Sequence, residues 1–134
     1  EVFRLVNNYL EAGGIFIFDM NTEYKFREVM GERCIAENRE HVSFIWNNEY
    51  DEASKINEYE LTLFLECEDG RYEKQEEYHY ERAYTPEEIK TCLNNAGLEL
   101  LSVLDDYTDD APGETCERMV FVARESYQEG KTYQ

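Results

Sequence analysis

The stretch "EAGGIFIFDMN", residues 11–21, constrains the fold of this chain more than any other segment. After Gly13 and Gly14, the residues Ile15, Phe16, Ile17 and Phe18 run without a polar interruption up to Asp19. Such a run is expected of a strand covered on both faces within a parallel sheet, rather than of one with a wet side. Upstream, Val2, Phe3, Val6, Tyr9 and Leu10 recur at the three-and-four spacing of one helix face, and the two glycines stop that helix. A helix over residues 1–11, a tight turn and a doubly buried strand make the second half of a βαβ unit whose first strand is not in the sequence. No Ser, Thr, Asp or Asn cap precedes Val2, so the helix is expected to begin before the chain does.

The segment "MNTEYKFREVMG" carries Tyr24, Phe26, Val29 and Met30 ahead of Gly31, which predicts a short helix capped by Asn21 or Thr22. From His41 to Tyr84 the period changes to two. Val42, Phe44, Trp46, Asn48 and Tyr50 share one face; Tyr59, Leu61, Leu63, Leu65 and Cys67 share a face of the next strand; "EDGR" is a hairpin turn. A third strand puts Tyr72, Tyr78, Tyr80, Arg82 and Tyr84 on one side. Residues 49–82 hold 12 acids and 4 bases, so one side of this three-stranded antiparallel sheet is expected to be solvated. The sharpest helix signal is "TPEEIKTCLNNAG": Thr85 caps, Pro86 takes the first helical position, Glu88 completes a capping box and Gly97 ends the segment. Ile89, Cys92, Leu93 and Ala96 then lie on one face, and "LELLSVLDDY" and "ERMVFVARE" read as an antiparallel strand pair joined by a loop around Pro112 and Gly113. The predicted organisation is one partial domain, with residues 1–31 and 85–125 in the core, 41–84 as an antiparallel insert and 126–134 as a frayed tail.

Composition narrows the function. With 42% hydrophobic residues in 134, the chain is rich enough in apolar surface to fold. A net charge of −18 repels phosphate backbones and anionic lipid, so neither nucleic acid nor membrane is an expected partner. No apolar run approaches the roughly 20 residues of a bilayer span, and residues 1–14 lack the pattern of a signal peptide, which points to a cytoplasmic location. Cys34, Cys67, Cys92 and Cys116 contain no Cys-x-x-Cys pair and are expected to be reduced, structural thiols. His41 and His79 are too isolated to build a metal site.

The order of elements resembles the C-terminal half of a class I S-adenosylmethionine-dependent methyltransferase of the small-molecule group. The likeness is carried by "YLEAGGIFIFDMN", similar to the family's fifth-strand pattern, by "YHYERAYTPEEIKTCLNNAGLELL", leading to its sixth strand, and by "ERMVFVARE", its closing seventh. It spans roughly residues 1 to 125 and implies an α/β fold: the C-terminal part of a Rossmann-like seven-stranded sheet with a three-stranded antiparallel insert. The first strand, Gly-rich turn and second-strand acid through which this family binds S-adenosylmethionine are absent from the sequence. Gly13 and Gly14 precede a strand and open no helix, so no cofactor-binding residue is expected here.

The resemblance implies a small-molecule substrate at the carboxyl ends of the strands, where Asp19 and Asn21 stand. Either residue could equally cap the next helix. An insert at this place is implied to roof the substrate pocket with an aromatic face of Trp46, Tyr78, Tyr80 and Tyr84, a chemistry that suits an amine, though such a stripe also serves ordinary packing. Arg82 shares that face and is suited to a substrate carboxylate or a neighbouring Glu, whereas His79 points the other way by parity. Parent-chain catalysis and self-association through an edge in residues 1–20 are the expectations; a free-standing acidic ligand- or protein-binding module is the alternative.

Overall fold

A computed structural model describes residues 1–126 and 130–132. The elements are α1 (Val2–Tyr9), β1 (Ile15–Asn21), a π-helical turn (Lys25–Met30), β2 (Cys34–Asn38), β3 (Val42–Asp51), β4 (Ile56–Glu66), β5 (Tyr72–Arg82), α2 (Pro86–Asn94), β6 (Leu98–Asp105) and β7 (Arg118–Glu125). They fall into two compact units, one of residues 1–24 with 84 onward, the other Lys25–Ala83.

The first unit is an antiparallel sheet in the order β1-β7-β6. Its core is built on the face carrying Phe16, Phe18 and Met20: Ile89 and Leu93 of α2 join Leu98, Met119, Phe121 and Ala123, and Phe3 of α1 packs against them. Phe18 stacks on Phe121 with ring centroids 5.1 Å apart. α2 forms where its capping signals place it, Glu88 N donating to Thr85 Oγ1 at 3.2 Å and Thr85 N to Glu88 Oε2 at 2.9 Å. Ile89, Leu93 and Ala96 face the core as expected, while Cys92 is exposed.

Strand β1 stands at the edge expected of residues 1–20, beside β7, but it is not the doubly covered strand of a parallel sheet. It pairs antiparallel with β7, with Ile15 and Ile17 50% and 60% exposed on the face away from the core. Alternation decides this: Phe16 and Phe18 are taken by the helical layer, so Ile15 and Ile17 must point to the other side. α1 differs in the same way, since Val2 and Tyr9 of its apolar set are exposed and the polar Asn7 is buried, donating to Ala96 O at 2.8 Å.

The second unit is a four-stranded antiparallel sheet, β2-β3-β4-β5, rather than a three-stranded one. β2 escapes a reading by periodicity because all five of its residues are exposed. The helix expected before Gly31 is a π turn, closed by Gly31 N donating to Phe26 O at 2.7 Å and anchored by Phe26, which is buried against Tyr50. Cross-strand register pairs Trp46 with Leu61 and Leu61 with Glu77, but Tyr78 with Glu60 and Tyr80 with Glu58. Trp46 therefore lies on the face opposite Tyr78, Tyr80 and Arg82, because residues opposed across a ladder share a face and sequence neighbours do not. His79 lies on the Trp46 face.

Residues 127–129 and 133–134 of the expected tail lie outside the described residues. Two tail residues are held rather than frayed. Ser126 Oγ donates to Gly97 O at 2.8 Å, and Lys131 is drawn in by the buried carboxylate of Glu125.

Candidate functional site

The first unit carries its chemistry at the carboxyl end of β1. Asp19 faces the same side as Ile15 and Ile17, and its Oδ2 accepts from Tyr107 Oη at 2.7 Å and from Arg118 Nη1 at 3.2 Å. Arg118 opens β7, where it opposes Asn21, two residues along from Asp19 on the same face. Tyr107 comes from the acidic turn after β6, where Asp106 adopts φ +51 and donates its N–H to Arg118 O at 2.8 Å. The hydrogen bond to Asp19 raises the Tyr107 phenol above its usual range, and the contacts with Tyr107 and Asp19 raise the Arg118 guanidinium. Both groups thus keep their protons at neutral pH and hold the carboxylate in place. Asp19 and Arg118 side chains stay 38% and 40% exposed, so the group remains reachable by a ligand.

Beside it, a cleft of about 380 Å³ lies along α1, β1 and α2. Phe3, Phe18, Met20, Tyr84 and Ile89 make it apolar; Glu1 and Asp19 border it, the Asp19 side chain turned to the other face of the sheet. Tyr84, expected on the insert's aromatic face, instead follows the end of β5 and packs against the core of the first unit. Asn21 ends β1, and the adjoining Thr22 donates its hydroxyl to Cys116 O at 2.6 Å.

The remaining expected residues belong to the second unit. Trp46 meets Tyr59 edge-on at 5.6 Å. Tyr78 and Tyr80 donate to Glu60 and Glu58, each at 3.2 Å, on the opposite face, where Arg82 is exposed at the end of β5. The structure thus brings Asp19 and Tyr84 to one cleft and separates Trp46 from Tyr78, Tyr80 and Arg82. Tyr107 and Arg118 were missed because nothing local marks them. Laying β7 antiparallel to β1 from the position of Asp19 would have brought Arg118 into view.

The Gly13–Gly14 turn does not fit a cofactor cradle. Gly13 N donates to Glu125 Oε2 at 3.0 Å and Gly14 N to Glu11 O at 2.9 Å, so both amides are used within the fold. Among the described residues no group of three His, Cys, Asp or Glu could hold a metal ion, and no helix is long and apolar enough to cross a membrane.

No family model matches the chain. Two curated relatives do. A protein of Geobacillus sp. (strain WCH70), classed with the methyltransferases, is 33% identical over 124 residues, covering 92% of this chain and 50% of the relative. YqeM of Bacillus subtilis (strain 168), classed likewise, is 32% identical over 128 residues, covering 94% of this chain and 51% of its own length. Among solved structures, an S-adenosylmethionine-dependent methyltransferase from Clostridium acetobutylicum superposes with a TM-score of 0.79 at 28% identity, covering 93% of this chain and 50% of that one. The chain spans about half the length of the proteins it matches.

Proposed function

We propose, for a chain whose sequence and fold are those of the C-terminal half of an S-adenosylmethionine-dependent methyltransferase, that it forms the substrate side of such an enzyme and serves methylation of a small molecule. The observation that carries this reading is that sequence kinship and superposition both extend over more than nine-tenths of the chain. Asp19 is the acceptor for a substrate hydroxyl or ammonium at the carboxyl end of β1, with Tyr107 and Arg118 as positioning residues that fix its carboxylate. Methyl transfer from a sulfonium is an in-line displacement, which depends on alignment of the acceptor and on removal of its proton where it carries one. Alignment and proton acceptance are the parts that these residues supply. The S-adenosylmethionine cradle lies in segments other than this one, which on its own neither holds the cofactor nor turns over.

The test is release of S-adenosylhomocysteine by the chain extended upstream as its gene encodes it, supplied with a panel of small amines and alcohols. Turnover with at least one acceptor, weakened in Asp19→Asn and absent from the unextended chain, supports the reading. Absence of turnover across the panel counts against it.

A further inference from the structure

The cleft along α1, β1 and α2 takes no part in the Asp19 group, whose carboxylate is turned to the other face of the sheet. Its volume of about 380 Å³ lies within the range of small-molecule sites, about 300–1,000 Å³. Among the described residues its lining holds no lysine, arginine or histidine, and Glu1 stands at its border. An anion placed there would lose its hydration with no cation to pair with.

The rings that wall the cleft are already held. Phe18 stacks on Phe121 with centroids 5.1 Å apart and on Phe16 at 4.8 Å, while Phe3 leans on it at 5.2 Å with the planes 46° apart. With its faces given to those neighbours, Phe18 has its edge left to offer. Aromatic edges carry the positive part of the ring quadrupole and favour the electron-rich face of another ring over a saturated body. Met20 and Cys92 add polarizable sulfur to the lining, which also suits an aromatic guest. Because these rings brace one another, a ligand has little side-chain freedom to freeze on arrival.

We infer that the cleft between α1 and α2 binds a flat, uncharged aromatic molecule of naphthalene size, at a site separate from the Asp19 carboxylate. Ring shape and neutrality select the ligand, the first through the edges of the walling rings and the second through the absence of a cation.

The probe is naphthol, titrated calorimetrically, with decalol as its saturated twin and naphthoate as its anionic one. Saturable heat with naphthol is expected, with binding roughly three- to tenfold weaker for decalol and about tenfold or more weaker for naphthoate. Replacing Cys34 and Cys67 by serine leaves Cys92 as the exposed thiol, and saturating naphthol should slow its alkylation by iodoacetamide about fivefold. Cys92→Phe, checked for folding by circular dichroism, fills the cleft and removes the heat. Asp19→Asn leaves naphthol binding unchanged, and so does upstream extension of the chain as its gene encodes it. No saturable heat, a twin that binds as tightly as naphthol, an unprotected Cys92 or a Cys92→Phe protein that binds like the parent overturns the inference. Loss of binding in Asp19→Asn overturns the separation of the two sites. Loss on upstream extension shows the cleft to be a seat for the protein's own chain and overturns the ligand. The titration contains no S-adenosylmethionine, so none of these outcomes depends on methyl transfer.

Discussion

Lys131 lies six residues beyond the last strand in a segment expected to fray, yet its replacement should cost more than most core substitutions. Its Nζ donates to Asn7 Oδ1 and Leu10 O, each at 3.0 Å, and to Glu125 Oε1 at 3.2 Å. The Glu125 side chain is 0% exposed and that of Lys131 11%. Glu125 Oε2 accepts from Gly13 N, so one ammonium ties α1, the glycine turn and β7 together. Lys131→Met keeps the aliphatic stem but leaves a buried carboxylate without its cation, a loss of about 3–5 kcal/mol. Against a total of about 5–15 kcal/mol this is a large fraction. At an unfolding entropy of about 2.1 cal/mol/K per residue, it lowers Tm by roughly 10–18 °C, readable by calorimetry. The double variant Glu125→Gln with Lys131→Met should recover much of the loss, because the amide can still accept from Gly13 and no charge is stranded. A fall of less than about 3 °C in the single variant, or a double variant no better than the single, would refute the reasoning.

Alkali should unfold the protein through its phenols. Burial, with help from Glu81, raises the Tyr59 phenol above its usual 10.0, so the folded state holds a proton that the unfolded state releases first. Stability from this group is complete below pH 10.0 and falls as pH rises through the folded value, which denaturant melts between pH 9 and 12 should register; rising stability there would contradict it. Cys34, Cys67 and Cys92 are exposed and should react promptly with a thiol reagent. Buried Cys116, its thiol raised chiefly by burial, should react only on unfolding, and four equally fast thiols would be the contrary result. The exposed Ile15 and Ile17 on edge strand β1 should pair two copies of the chain; sedimentation velocity at micromolar concentration should show a dimer or larger species that Ile17→Lys disperses, and a clean monomer would count against it.

What could be read from the sequence was what local chemistry dictates. The Thr85–Glu88 capping box, the strand pair that became β6 and β7, and the shared face of β3 and β4 all follow from spacing within a few residues. What escaped depended on partners distant in sequence. The IFIF run is silent on whether its second face is covered, since both isoleucines are as apolar as both phenylalanines. β2 has no buried residue to announce it. The candidate site divides along the same line: Asp19 stands out as the acid that stops a strand, but Arg118 and Tyr107 reach it across separations of 99 and 88 residues. The supposed common face of Trp46 and Tyr78 failed on parity, because the register across β4 decides which residues face together.

The most direct measurement is calorimetric titration of S-adenosylmethionine and S-adenosylhomocysteine into this chain and into its upstream-extended form. The account expects saturable heat from the extended protein and none from this chain, whose glycine turn has no free amides to offer. Binding by neither would contradict the methyltransferase reading, and binding by this chain alone would contradict the absence of a cofactor cradle from its residues.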